Sequence, residues 1–190
     1  METIKALQPQ AHEPPEQAMF RNRKKLEDIL QKDPGEKETF TCNAKITSID
    51  LHKKWHYNSC DACKTKIDET SYCTKCDVVV KYPKIRYLLT VDIDDGSACV
   101  PLALFDNEAE RVIGSPVNKL LDLQKKENGN EKVKDRLGIC IGKQFAFRVK
   151  LSTRSETTEL ICQRTFETNY QLEKSYEEQQ HKDMASIKKV

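Results

Sequence analysis

Hydrophobic and polar positions alternate along five segments of this 190-residue chain. A period of two places every second side chain on one face, which is typical of a strand with one buried side. The buried positions that the alternation predicts in four of the segments are Phe40, Cys42, Ala44 and Ile46; Tyr87, Leu89, Val91 and Ile93; Val100, Leu102 and Leu104; and Phe145, Phe147, Val149 and Leu151. The fifth segment, TTELICQRTFE, follows the polar turn STRSE. The pattern therefore predicts a mainly β domain.

Helical patterns occupy intervals between these strands. The stretch DNEAERVIG precedes Ser115-Pro116 and VNKLLDLQKK, where a proline at the first helical position introduces an apolar stripe that ENGN ends. Helical sequence resumes at Tyr170 and runs to the C-terminus. Five short strands with a helical connection between the third and the fourth follow the order of an OB-fold, a curved five-stranded barrel.

The chain divides into three regions on this interpretation. Residues 1–38 are rich in Pro, Gln and charge and carry one short helical pattern, KKLEDILQ, so we expect a linker with a short docking helix. Residues 39–168 form the barrel domain, and residues 55–83 form an insertion within it. Residues 169–190 form the C-terminal helix.

Four cysteines stand in two pairs in the insertion, CDAC at Cys60 and Cys63 and CTKC at Cys73 and Cys76. Two such pairs aim four thiolates at one ion, which is the closed, tetrahedral coordination of a structural zinc site. Disulfides and a redox motif are the alternatives, but a redox motif uses one pair beside a βαβ pattern, and the N-terminus has no apolar signal core. We therefore expect a zinc ribbon that holds one structural Zn²⁺, with His56 outside the ligand set.

Composition and charge limit the function classes. The formal charge of +2 is nearly balanced, so any surface that attracts nucleic acid has to be local. No run of 18 apolar residues is present, which argues against a membrane partner and favours an intracellular protein. A zinc ion with four thiolates has no open position for water, and no other cysteine lies in a nucleophile context. We therefore do not expect an enzyme.

Outward positions of the third and fourth strands carry candidate binding chemistry. Phe105 points away from the buried side of its strand, and the period of two places Arg148 and Lys150 on the outer face of theirs. Aromatic rings stack on bases and cations neutralise phosphates, so these three residues are predicted to bind single-stranded nucleic acid. The alternatives are that Phe105 packs beneath the following helix and that the two cations are ordinary solvated surface.

Further residues are candidates for the same surface. Lys84 and Arg86 would continue a cationic track from the insertion to the barrel, and Arg154 lies on the turn between the last two strands, where OB-fold loops reach ligands. Trp55 and its neighbour Tyr57 could stack on bases, but aromatic residues beside a ribbon more often pack it onto the barrel.

Several motifs together resemble a known family. TCNAKITSI, WHYNSCDACKTK, CTKC, RYLLTVDIDD, LALFDNEAERVIG and FAFRVKL, in this order, resemble the C-terminal DNA-binding domain of the replication protein A large subunit over about residues 39–168. The resemblance implies an OB-fold with a zinc ribbon after its first strand, zinc ligands at the four paired cysteines and a base-stacking ring at Phe105. It also implies a terminal helix, from Tyr170 onward, that assembles with two smaller subunits. KKLEDILQ resembles the linker helix before this domain in plant members.

Three functions remain open from the sequence. The first is binding of single-stranded DNA with little sequence preference, in DNA replication, repair or recombination in the nucleus. The second is a scaffold that assembles with the smaller replication protein A subunits through the C-terminal helix and has little DNA affinity; the near-neutral charge favours it. The third is single-stranded RNA binding, because stacking and phosphate contacts do not read the sugar. A full large subunit carries three more OB-folds upstream, which 38 residues cannot contain, so we expect a fragment or a short relative.

Overall fold

Strands form the body of the structure, and short helices connect or flank them. The computed structural model describes residues 13–34, 37–154 and 157–187. The strands are β1 (Phe40–Ile49), β2 (His56–Ser59), β3 (Tyr72–Cys73), β4 (Val78–Val79), β5 (Lys84–Asp94), β6 (Cys99–Phe105), β7 (Gln144–Arg154) and β8 (Thr157–Glu167). The helices are α1 (Pro15–Ala18), α2 (Leu26–Leu30), α3 (Asp106–Ile113), α4 (Val117–Gln124), α5 (Gly129–Gly138) and α6 (Tyr170–Ile187).

Five of the strands close into a barrel in the order β1-β7-β8-β6-β5, because β5 also pairs with β1. The β6–β8 pair is parallel and the other four pairs are antiparallel. The first half of β1, from Phe40 to Lys45, pairs with β7, and the second half, from Lys45 to Ile49, pairs with β5 and contains a bulge between Ile46 and Ser48. The predicted five-stranded OB-fold barrel, with an insertion after its first strand and a C-terminal helix, is confirmed.

The barrel interior consists of the side chains that the alternating pattern places inward. All fifteen predicted positions are at most 4 % exposed. Leu160 and Cys162 of β8 complete this core, and α3, α4 and α5 pack apolar residues against it. Helix α3 ends at Ile113 and is followed by Gly114, whose φ of 70° suits a residue without a side chain.

One helix is missing from the sequence prediction. Helix α4 ends before ENGN, as predicted, but the helical connection continues, because Asn128 adopts a left-handed conformation (φ 54°) and α5 begins directly after it. Helix α5 buries Val133 and Leu137, which lie four residues apart on one face.

The region before the barrel packs against it. Leu26 and Ile29 of α2 are fully buried in the main core. Ala18 and Met19, at the end of α1, pack with Phe166 of β8 on the outer side of the barrel. In the described part of this region, residues 13–34, the chain therefore contributes to the fold and is more than a linker. Every helix within the described ranges is too short or too polar to cross a bilayer.

Candidate metal centre and nucleic-acid interface

The insertion folds into two knuckles of the same geometry. The Lys64 N–H donates to the Cys60 carbonyl at 2.8 Å, and the Asp77 N–H donates to the Cys73 carbonyl at 2.8 Å. Lys64 and Asp77 both have left-handed backbone, with φ of 62° and 57°. This turn reverses the chain after each pair, so that both thiols of a pair lie on the same side.

The knuckles bring the four paired thiols together. All four Sγ atoms lie within 4.8 Å of one another; the Cys60–Cys76 distance is 3.9 Å and the Cys63–Cys73 distance is 3.3 Å. A tetrahedral ion with metal–sulfur bonds of about 2.3 Å needs sulfur–sulfur distances of about 3.8 Å. All eight cysteines of the chain are described, and all are free thiols. The cluster can therefore bind one metal ion with four sulfur ligands.

The chemistry of these thiols also suits a cation. Hydrogen bonding with Thr65, whose hydroxyl oxygen lies 3.3 Å from the Cys63 sulfur, lowers the pKa of Cys63 to about 6. The adjacent thiols of Cys63 and Cys73 raise the pKa of Cys76 to about 12. Four thiols at this spacing cannot all ionise unless a cation offsets their repulsion. His56 lies outside the cluster, as predicted.

Arg86 links the ribbon to the barrel. Its side chain is 5 % exposed, its Nε donates to the Ser59 hydroxyl at 2.8 Å, and its Nη1 forms an ion pair with Asp106. Ser59 directly precedes Cys60, and Asp106 directly follows Phe105. The sequence places Arg86 in a solvent-facing cationic track, but the structure buries it and gives its guanidinium protein partners.

Phe105 lies on the outer face of the barrel at the end of β6. It is partly exposed, whereas Leu104 before it is fully buried. Its backbone pairs with Leu88 of β5, and Tyr57 of β2 pairs with Arg86, two positions from Leu88 on the same face. Tyr57, Leu88 and Phe105 therefore share one outer surface, which we call the aromatic face, and all three are partly exposed.

Trp55 does not belong to the aromatic face. Its ring packs against the barrel core, with its centroid 5.9 Å from that of Tyr87 and in edge contact with His56 at 4.5 Å. Of the two roles that the sequence leaves open for Trp55, this geometry corresponds to packing.

Two clefts border the aromatic face. One, of about 530 Å³, includes Leu88 and the exposed Lys54 and Lys66 in its lining. The other, of about 660 Å³, lies between the ribbon and α3 and includes Lys64 and Lys84. The acidic residues of this second cleft are Asp61, Asp106 and Glu110. The sequence interpretation did not single out Lys54, Lys64 and Lys66, although KKWHYNSCDACKTK places basic residues on both sides of the first cysteine pair.

The two cations predicted on β7 have different surroundings. Arg148 Nη2 donates to the Ala18 carbonyl at 3.0 Å and lies 3.7 Å from the Glu13 carboxylate, which leaves the side chain 22 % exposed. Lys150 is partly exposed, and its side chain has no hydrogen bond or ion pair with any described residue. The predicted outer-face position is therefore covered at Arg148 and open at Lys150.

The strand register relates Lys150 to Phe105. Lys150 pairs with Ile161 of β8, and Ile161 pairs with Ala103, two positions before Phe105 on the same face of β6. Lys150 thus points outward from β7, which lies two strands from β6 around the closed barrel. Arg154 is the last residue of β7, and its side chain lies outside the described residues.

Comparison with known proteins gives a family match over most of the chain. The family described as Replication factor-A C terminal domain matches residues 39–185. A 70 kDa DNA-binding subunit of replication protein A from Arabidopsis thaliana is 25 % identical over 124 residues, which cover 63 % of this chain and 20 % of the relative. Replication factor A protein 1 of Saccharomyces cerevisiae is 30 % identical over 134 residues, which cover 67 % of this chain and 21 % of the relative. The chain thus spans about a fifth of the length of these relatives.

Two solved structures share the fold. A replication protein A heterotrimer bound to ssDNA contains a chain that matches with a TM-score of 0.64 at 18 % identity, over 86 % of this chain and 39 % of that one. Yeast RPA bound to ssDNA matches with a TM-score of 0.62 at 22 % identity, over 84 % of this chain and 95 % of that one. At these identities the likeness establishes the architecture.

Proposed function

Because the chain belongs to the family of replication factor-A C-terminal domains, we propose that it binds single-stranded DNA, in DNA replication, through the aromatic face. The observation that supports this proposal is the presence of two partly exposed rings, Phe105 and Tyr57, on one outer surface of an OB-fold barrel. Its relatives are named as DNA-binding subunits and a replication factor. Participation in repair and recombination, and a nuclear location, extend the same proposal.

The aromatic face provides stacking without sequence preference. Phe105 and Tyr57 lie on strands that flank β5, which separates them by roughly 10 Å, so each ring receives a different base. Leu88 supplies an apolar floor between the rings. A stacked base contributes about 1–3 kcal/mol, and every base has a face that can stack.

Open lysines provide the phosphate contacts. We assign these contacts to Lys84 and Lys150, with Lys54 and Lys66 at the border of the face and Arg154 as a further candidate on the loop. Lys84 is 58 % exposed, and its Nζ lies 3.9 Å from Asp61, an ion pair that contributes little in solvent. Arg86 and Arg148 receive positioning roles instead, because protein groups already occupy both guanidinium groups.

Zinc is the ion that we assign to the four thiols, because thiolate ligands in a closed tetrahedron favour it. When bound, it supplies charge neutralisation and fixes both knuckles. Fixing Cys60 also fixes Ser59, which directly precedes it in the chain. The Ser59 hydroxyl and the Asp106 carboxylate both contact the Arg86 guanidinium, and Asp106 directly follows Phe105. The ribbon thereby orders the end of β6 that carries the stacking ring. Its role is structural, so we propose no catalytic activity for this chain.

We also propose that α6 assembles with the smaller subunits of replication protein A. The cleft beside Lys84 contains acidic residues, which repel phosphate groups. They favour the alternative in which the chain serves mainly as an assembly scaffold and binds DNA weakly. Single-stranded RNA remains a second possible ligand, since the aromatic face offers no group that reads the sugar.

Fluorescence anisotropy titrations can separate these functions. The full chain is titrated with labelled oligonucleotides of equal length, one of single-stranded DNA, one of RNA and one duplex, at several salt concentrations. We expect single-stranded DNA to bind more tightly than duplex. The logarithm of affinity should fall with the logarithm of salt by about 0.7 per phosphate contact, of which Lys84 and Lys150 together contribute about 1.4. Equal, weak binding of all three oligonucleotides would favour the scaffold.

A further inference from the structure

A buried ion pair fastens α6 to residues that precede the barrel. Arg23 Nη1 lies 2.9 Å from Glu173 Oε2, and Nη2 lies 3.0 Å from Glu173 Oε1; the two side chains are only 8 % and 9 % exposed. The remaining donors of Arg23 reach the Thr41 hydroxyl at 3.2 Å and the Met19 carbonyl at 2.7 Å. A two-pronged pair in which all three guanidinium nitrogens donate hydrogen bonds fixes direction as well as distance.

Two aromatic rings reinforce this pair. The rings of Phe20 and Tyr176 stack with their centroids 4.9 Å apart and an angle of 22° between their planes. The guanidinium of Arg23 lies over both rings, 4.7 Å from the centroid of Phe20 and 5.7 Å from that of Tyr176. Glu173 and Tyr176 are three residues apart on one helix face. Holding α6 at both positions fixes its rotation about its own axis.

The segment that carries Arg23 is itself anchored. Residues 13–30, which we call the strap, join β1 through two backbone hydrogen bonds: Thr41 N–H donates to Asn22 at 3.2 Å, and Lys24 N–H donates to Thr41 at 2.9 Å. Leu26 and Ile29 then enter the barrel core. The strap is therefore a fixed point against which α6 is oriented.

Helix α6 has few other contacts with the barrel. Its first turn is capped by Asn169, and Leu172 packs in the cluster of Phe166 and the strap residue Met19. After Tyr176, every described residue of the helix is exposed. The direction in which the helix leaves the barrel thus depends on the contacts at Glu173 and Tyr176.

We propose that Arg23 is a positioning residue, through which the strap sets the direction in which α6 leaves the barrel. Because α6 is the helix that we assign to assembly, the strap thereby influences assembly as well. The consequence for assembly rests on the proposed function of α6, whereas the orienting role does not. The strap precedes residues 39–185, the part of the chain that matches the family, so this coupling joins a segment outside the family domain to a helix inside it.

Distance measurements by double electron–electron resonance test the orienting role. Spin-labelled non-canonical residues at the exposed positions Lys132 and Lys182 leave all eight cysteines unmodified. The parent should give one narrow distance peak. Arg23→Met should lose it and give a broad distribution. Arg21→Met is the matched control, because Arg21 is 64 % exposed, and it should retain the narrow peak.

A second variant keeps the test decisive if Arg23→Met alone does not fold. Arg23→Met with Glu173→Met removes the unpaired buried carboxylate and should restore folding, because replacing both partners of a buried pair by apolar residues is often neutral. Its distance distribution should nevertheless stay broad. A narrow, parent-like peak in this folded double variant would overturn the proposal.

Co-purification with the two smaller replication protein A subunits tests the consequence separately. The parent should assemble, and the double variant should assemble more weakly at unchanged zinc content. If the parent itself does not assemble while the distance results hold, the proposed assembly function is wrong and the orienting role of Arg23 stands. If the parent and the double variant assemble equally well, the coupling is wrong.

Discussion

Ile29 tests whether the residues before the barrel belong to its core. The side chain is fully buried among barrel residues. Replacing it with alanine removes three methyl or methylene groups at about 0.8 kcal/mol each, or about 2.4 kcal/mol of lost burial. A cavity of about 80 Å³ that does not collapse adds up to about 2 kcal/mol at about 24 cal/mol per Å³. We therefore expect Ile29→Ala to lower the free energy of unfolding by about 2.5–4.5 kcal/mol.

Urea denaturation of the full chain, followed by circular dichroism and tryptophan fluorescence, measures this change. Leu30→Ala is the matched control on the same helix, because Leu30 is 38 % exposed, and it should cost less than about 1 kcal/mol. Trp55 reports on the barrel, since it packs against the core. If Ile29→Ala and Leu30→Ala have equally small effects on the midpoint of the Trp55 transition, α2 does not contribute to the core as described.

Three further predictions concern the metal and the charges. Cys73→Ser should reduce zinc below one ion per chain by elemental analysis and weaken DNA binding, because the ribbon holds Arg86 beside Phe105; full zinc content would contradict the ligand assignment. In the metal-loaded parent, the exposed Cys99 should react first with a thiol reagent, and chelation should then make the four paired thiols of the ribbon reactive. If those four thiols react before chelation, the closed site is contradicted. Replacing Lys84 and Lys150 together with Met should reduce the salt slope by about 1.4, whereas Arg148→Met should leave it nearly unchanged; the reverse result would contradict the phosphate assignment.

The sequence predicts those features whose cause is local. The alternation in RYLLTVDI places Tyr87, Leu89, Val91 and Ile93 inward because neighbouring residues of a strand face opposite sides. The two cysteine pairs define their knuckles within a few residues. The outward position of Phe105 also follows from the strand period.

The remaining features depend on contacts between distant segments. Arg86 occupies an outward position by period, yet Ser59 and Asp106, 27 and 20 residues away, enclose its guanidinium. Arg148 is covered by Ala18, 130 residues away. Strand periodicity assigns a face but does not show what packs on it, so both cations resemble open phosphate ligands in the sequence. The sequence pattern does not predict α5, because its start at Gly129 lies within the turn residues ENGN.

The central claim is that Phe105 stacks on single-stranded DNA, and affinity measured for Phe105→Ala over a range of salt concentrations tests it most directly. Loss of one stacked base should weaken binding by about 1–3 kcal/mol at every salt concentration, with an unchanged salt slope. Tyr82→Ala is the matched control, since Tyr82 is 78 % exposed on the ribbon side and lies outside the aromatic face; it should bind as the parent does. If folded, zinc-loaded Phe105→Ala binds as tightly as Tyr82→Ala, or if Phe105→Ala unfolds the barrel, the stacking role of Phe105 is contradicted.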